Sequence, residues 1–174
     1  MTTALITHPD CDLHAPPEKH PERVARIAAV LSALEGPEFD GLTRLRARPV
    51  TSDQLLRVHP QSHLAAMDAA VPQDGYSFID ADTVMAPGTL TAAHLSAGAA
   101  VQAVDLVMSG EAHSAFCNVR PPGHHAEHNA AMDGTVIIGR NGVAGAMVLK
   151  ADQPGDFDYR GALKTVNIYK LCLP

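Results

Sequence analysis

Two adjoining stretches constrain the fold most. Between Pro87-Gly88 and Ser109-Gly110, residues Leu90, Ala93, Ala97, Val101, Val104 and Met108 recur on one helical stripe, which predicts a long helix over Thr89–Met108. Ala115-Phe-Cys-Asn-Val119 follows as a short buried strand, and it delivers the chain into Arg120-Pro-Pro-Gly-His-His-Ala-Glu127. Helices alternating with short apolar strands predict an α/β protein with a mainly parallel sheet and flanking helices. In such sheets the loops at the C-terminal strand ends are where chemistry collects.

The earlier elements fit that alternation. Ala4–Thr7 reads as a first strand, followed by a loop through His8-Pro-Asp10, Cys11-Asp-Leu-His14 and His20-Pro-Glu22. Pro21 suits the first turn of a helix, since its missing N–H costs nothing there. Val24, Ile27, Leu31 and Leu34 carry that helix, and Gly36-Pro37 ends it. Leu42 to Val50 alternates as a half-buried strand would. Ser52 is placed to cap a short helix to Val58, and Pro60 to open another reaching Ala70. A polar loop from Val71 then carries Asp80-Ala-Asp82-Thr83.

After Met132 the character changes. Thr135–Ile138 and Val143–Leu149 are expected to pair around Gly139-Arg-Asn-Gly142, whose Asn-Gly favours a hairpin turn. Asp152-Gln-Pro-Gly-Asp156 is another turn, and Thr165–Leu173 a last strand. The chain therefore divides into residues 1–132 and a short divergent C-terminal β-rich tail, 133–174, of antiparallel character.

A chain of 174 residues can bury about 70% of its unfolded surface. The apolar fraction of 46% and charged fraction of 18% describe an ordinary globule. A net charge of −6 without any Lys/Arg run argues against nucleic-acid or anionic-membrane partners. Trp is absent and Ala and Gly are abundant, which points to close helix-to-sheet packing. No membrane span is expected, and Met1–Thr7 does not read as a signal peptide. Cys11, Cys117 and Cys172 are too few and too scattered for a disulfide framework, so a cytoplasmic location is expected.

The tandem His124-His125 is the leading chemical feature. Neutral imidazole accepts protons near neutral pH, and two neighbours that resist being charged together separate into a base and an electrostatic or acid partner. Exposed histidines in a Gly-containing loop are the plain alternative. Four other candidates receive plainer readings: Cys11-x-x-His14 as a loop element, His59 and His63 as an exposed helix face, Cys117 as a small core residue, and His94 as a boundary residue.

Arg120-Pro-Pro-Gly-His-His-Ala-Glu127 resembles the signature loop of the histone deacetylase superfamily, which includes bacterial deacetylase-like amidohydrolases, acetoin-utilisation proteins and acetylpolyamine amidohydrolases. Cys11-x-x-His14 with His20-Pro-Glu-Arg-Val-Ala-Arg26 is similar to its N-terminal loop and first helix. Asp80-Ala-Asp82-Thr83, Ala86-Pro-Gly-Thr89 and the Ala-rich helix resemble its bacterial and class II members. The likeness covers about Leu5 to Met132.

The resemblance implies an arginase/deacetylase-type fold and zinc-dependent hydrolysis of acetyl-lysine or acetylated amines. It makes His125 the general base and His124 its electrostatic neighbour. It also places Asp82 on the substrate backbone at the pocket rim, Gly123 in the turn behind the histidines, and Arg26 beneath the site. The family's later motifs, a metal-binding Asp-x-Asp-x-His-His segment, a further Asp and a catalytic Tyr, have no counterpart here. No metal ligands are recognisable, and turn composition accounts for Asp152, Asp156 and Asp158. The sequence thus reads as a truncated deacetylase-like domain, inactive in isolation. Its partner is an acetylated small molecule or acetyl-lysine peptide, and self-association is expected through an exposed sheet edge that the tail could cover. A non-catalytic binding or assembly module and a divergent metal-binding protein stay open beside it.

Overall fold

A computed structural model describes residues 2–123, 126–131, 146–151 and 166–170. A five-stranded sheet forms the centre, in the order β2-β1-β5-β6-β7. Strands β1 (Thr3–Thr7), β2 (Leu42–Arg46) and β5 (Ser114–Asn118) are parallel, with Ile6 opposite both Leu45 and Cys117. Strand β6 (Ala146–Ala151) joins β5 antiparallel, Phe116 opposite Val148, and β7 (Val166–Lys170) joins β6 antiparallel in turn. The edge of β5 expected to stand open is thus paired by the tail. Of the hairpin expected from Thr135–Ile138 and Val143–Leu149, only residues 146–149 lie among the described residues, within β6.

Helix α1 (Ala25–Ala33) covers one face of the sheet, where Asn118 Nδ2 donates to Ile27 O at 3.3 Å and Arg44 reaches Leu34 O. Helix α4 (Thr89–Met108) lies on the other, where the Cys117 thiol donates to Ala99 O at 3.4 Å. Ala4, Ile6, Ala115, Cys117 and Val119 from the strands pack there against Leu95, Ala99, Ala103 and Val107. Alanine and glycine make this closeness possible. A Cβ at Gly98 would lie 1.8 Å from Arg48 O and 2.6 Å from Val50 N. The sequence predicts the extent of α4 but only half of its packing. Its predicted stripe, Leu90, Ala93, Ala97 and Val101, packs not on the sheet but on a second cluster with Val50, Leu55, Met67 and Met85, and Val104 is exposed.

By length and composition α4 would suffice to cross a membrane, contrary to the expectation that no stretch would. Half of it is nevertheless buried between the two clusters, as the central helix of a globule would be.

Three other boundaries move for local reasons. Helix α1 starts at Ala25 rather than Pro21, because Glu22 turns inward to an ion pair and its N–H donates to His20 Nδ1 (3.2 Å). After Ala47 N, which still bonds to Thr7 O (2.9 Å), the backbone beyond β2 bonds to α4: Arg48 N to Gln102 Oε1 and Val50 N to His94 O, both 3.0 Å. Helix α2 (Ser52–Leu55) is capped by Thr51 rather than Ser52, in a reciprocal box with Gln54. Helix α3 (Gln61–Ala70) begins after Pro60 as expected. The short strands β3 (Ser77–Phe78) and β4 (Val84–Met85) frame the Asp80–Thr83 loop.

Candidate functional site

Because β2 and β5 flank β1 on opposite sides, the order in which parallel strands are added to the sheet reverses between β1 and β5. The crevice outside the C-terminal ends of those two strands is the position where open α/β sheets bind ligands. The loop leaving β1 and the loop leaving β5 meet at this place. A buried ion pair joins them.

Arg120, 1% exposed, follows directly on Val119 at the end of β5. Its Nε donates to Glu22 Oε1 at 3.0 Å and its Nη2 to Glu22 Oε2. Its Nη1 donates to Cys11 O at 3.2 Å and to His14 O. The guanidinium fork therefore satisfies a carboxylate and two carbonyls of the β1 loop at once, which a lysine could not do.

His14, also buried, extends the network. Its Nδ1 lies 2.9 Å from Thr89 Oγ1, and its Nε2 lies 3.5 Å from Glu22 Oε2. The Thr89 hydroxyl accepts from Ala86 N (2.8 Å) and also meets His14 Nδ1, while the carboxylate of Glu22 faces the other ring nitrogen. Burial holds the His14 pKa down to about 4, against an opposing pull from Glu22, and Arg120 and His20 lower it further. His14 is therefore neutral across the physiological range.

The β5 loop is tied at three further points. Ser96 on α4 donates to Pro121 O at 3.1 Å, and Ala126 N to Gly123 O at 3.3 Å. His59 Nδ1 lies 2.9 Å from His128 O, while His128 Nδ1 meets Val58 O. This corrects the reading of His59 and His63 as an exposed helix face. They are 1% and 4% exposed, with ring centroids 4.8 Å apart, and His59 sits before α3 rather than on it. Burial is the main cause that lowers the His59 pKa.

The remaining sequence candidates separate. His124 and His125 lie outside the described residues. Gly123 is buried beside them in sequence. Asp82 is exposed on a loop held by Asp80, whose carboxylate accepts from Asp82 N (2.8 Å) and Thr83 Oγ1 (2.9 Å). His20 Nε2 lies 3.0 Å from Asp82 O, tying this rim loop to the β1 loop. Arg26 is exposed in the first turn of α1, and the buried arginine at the crevice is Arg120. Cys117 is the core residue expected, with burial raising its pKa to about 12, and His94 lies at the boundary as expected. Asp152, Asp156 and Asp158 are outside the described residues.

Sequence reasoning missed Glu22 and Arg120 as a pair. Both stand in the motifs quoted, and opposite charges in two loops bound for one crevice were the available signal. Among the described residues no three His, Cys, Asp or Glu side chains converge to hold a metal ion, so these residues alone do not fit zinc.

Known proteins resemble this chain in sequence and fold. The histone deacetylase domain profile matches residues 20–150. A histone deacetylase-like amidohydrolase of Pseudomonas aeruginosa is 40% identical over 116 residues, 64% of this chain and 29% of that protein. A probable deacetylase of Archaeoglobus fulgidus is 32% identical, over 73% of this chain and 36% of its own length. The crystal structure of the HDA15 HD domain superimposes with a TM-score of 0.71 at 30% identity, covering 78% of this chain and 40% of that one. This chain spans about a third of the length of such relatives. The profile match, running from the β1 loop through α4 and the His-His loop into β6, shows that the chain belongs to the histone deacetylase family.

Proposed function

We propose that this chain recognises acetylated amines, either an acetyl-lysine peptide or a small acetylated amine, at the crevice between β1 and β5. The reaction that family resemblance assigns to such a site is the hydrolysis of the amide, which this chain alone is not expected to complete. His125 takes a proton from the attacking water and returns it to the departing amine, and His124 provides its electrostatic neighbour. Asp82, on the rim, receives the substrate backbone, Gly123 shapes the turn before the histidines, and Arg26 belongs to the same neighbourhood.

The observation that carries this reading is the joining of the two crevice loops by Arg120 and Glu22, within a chain of the deacetylase family. Family members of this type use zinc, but no step here is derived through it, because the described residues bring no ligand set together. The isolated chain is read as a binding module that does not turn over substrate because the family's later metal-binding motifs have no counterpart in its sequence. Its scattered cysteines support a cytoplasmic setting. Self-association uses the sheet edges at β2 and β7 rather than β5.

Protein stripped with chelator, reloaded with zinc and desalted, then mixed with an acetyl-lysine peptide, tests the proposal. Peptide binding without retained zinc or turnover is expected. Turnover abolished by His125→Ala would establish the hydrolase and overturn inactivity in isolation. Absence of both binding and turnover would remove the acetylated-amine reading.

A further inference from the structure

A cavity of about 260 Å³ opens between the stretch from Arg48 to Gln54 and the second half of α4. It shares no residue with the crevice network of Arg120, Glu22 and His14. Aliphatic Val101 and Leu106 line it together with the polar side chains of Arg48, Gln102, Asp105 and Glu111.

Gln102 is the informative member. It is 9% exposed, and its Oε1 accepts from Arg48 N at 3.0 Å. A backbone N–H can only donate, so the amide oxygen is committed there and the NH2 group keeps two hydrogens. Among the described residues neither of them has an acceptor. A buried donor without a partner bears the full desolvation of that group, so an acceptor belongs in the cavity.

The charges beside it are unspent as well. Arg48 and Asp105 are exposed, and neither enters an ion pair among the described residues. Glu111 accepts from the Ser109 hydroxyl through Oε1 (2.8 Å), and its Oε2 has no partner among those residues. A cation and two carboxylates thus line one cavity without neutralising one another. The guanidinium and the amide NH2 suit a ligand carboxylate, and Asp105 and Glu111 suit an ammonium. The volume lies below the roughly 300 Å³ at which pockets for drug-sized molecules begin, so the ligand is small.

We propose that this cavity binds a free aliphatic α-amino acid as its zwitterion. The carboxylate meets Arg48 and the Gln102 amide, the ammonium meets Asp105 and Glu111, and the side chain rests on Val101 and Leu106. The site is separate from the crevice and does not depend on the acetylated-amine reading.

L-Valine is the probe, titrated into the full chain at neutral pH and followed by ¹H–¹⁵N NMR. Saturable shifts are expected at Gly98 and at the Gln102 side-chain amide, with Val119 and Arg120 unmoved. Isovalerate lacks the ammonium and isobutylamine the carboxylate, and each is expected to bind at least about tenfold more weakly. Arg48→Met and Asp105→Asn alter exposed side chains and are expected to weaken valine by a similar factor with the fold intact. Gln102→Glu keeps an acceptor for Arg48 N but exchanges the NH2 for a second oxygen, and it is expected to abolish binding. Should that variant fail to fold, the two surface variants carry the test. Valine that does not saturate at concentrations on the order of tens of millimolar would overturn the site. Shifts confined to the crevice would do the same. Isovalerate binding as tightly as valine would reveal an anion site, and isobutylamine a cation site; either overturns the amino-acid assignment.

Discussion

Gly98 of α4 lies against the carbonyl of Arg48, so close that a methyl group at Gly98 would stand 1.8 Å from that oxygen. The neighbouring obstacles are backbone atoms of Pro49 and Val50, which cannot swing aside as a side chain would. Gly98→Ala must push α4 away from the segment after β2. A loss of about 1–3 kcal/mol is expected despite alanine's better helix propensity, read from urea unfolding. An unchanged midpoint would mean that the Arg48–Val50 segment yields freely.

His14 gives the protein an acid-sensitive contribution to stability. Its pKa is about 4 when folded and near the ordinary 6.5 when unfolded, so between these values the unfolded chain binds a proton that the folded chain does not. Stability is therefore highest above pH 6.5 and declines as pH falls toward 4, by roughly 3 kcal/mol from this group alone. His59 and His94, lowered by burial too, add in the same direction. In His14→Asn the side-chain amide retains a hydrogen-bonding group for Thr89 without a titrating ring, and the pH dependence is expected to flatten. Unfolding curves at several pH values between 4 and 7 measure the slope, and a wild-type slope in the variant would assign it to other groups.

Cys11 and Cys117 are buried thiols whose pKa values burial raises. Only the thiolate reacts with disulfide reagents, and at pH 8 it is on the order of one part in ten thousand for a thiol with pKa about 12. Labelling of both is expected to follow global unfolding, with a rate that rises in urea along with the unfolded fraction. Mass spectrometry of quenched samples checks this. Rapid labelling of Cys117 in buffer would show local opening of β5 against α4.

The His59 ring is a buried partner for the His128 carbonyl, and its removal takes that hydrogen bond away. His59→Ala is expected to cost about 2–4 kcal/mol, combining a cavity with a lost hydrogen bond. Hydrogen exchange is expected to rise first at Glu127, whose N–H bonds to Ala130 O at 2.8 Å. Uniform change across α4 and the sheet instead would show that His59 supports the fold generally.

Periodicity and punctuation made much of this fold readable. Pro87-Gly88 and Ser109-Gly110 bracket α4 to the residue, and Pro60 marks the start of α3. What stayed hidden depends on contacts distant in sequence. Glu22 leaves the helical register because Arg120, nearly a hundred residues away, holds it inward. His59 and His63 look like a solvent-facing i,i+4 pair until the His128 loop folds over them. The sheet-facing side of α4 escaped notice because alanine is apolar without being large, so Ala99 and Ala103 weigh less in a pattern than Leu90 or Val104. At the site, the Arg-Pro-Pro-Gly-His-His motif identified the loop, whereas the means of holding it needed three dimensions.

The direction in which β6 runs has a consequence for assembly. Along β5 it pairs from Ser114 to Asn118, taking up the hydrogen-bonding edge that faces away from β1. A strand has one such edge to offer. Any parallel strand arriving there, from this chain or another, must first strip β6 away, so enlarging the parallel sheet and keeping the tail in place are competing events. The tail strand thereby sets a threshold: any strand that would take its place on β5 has to pair there more strongly than β6 does.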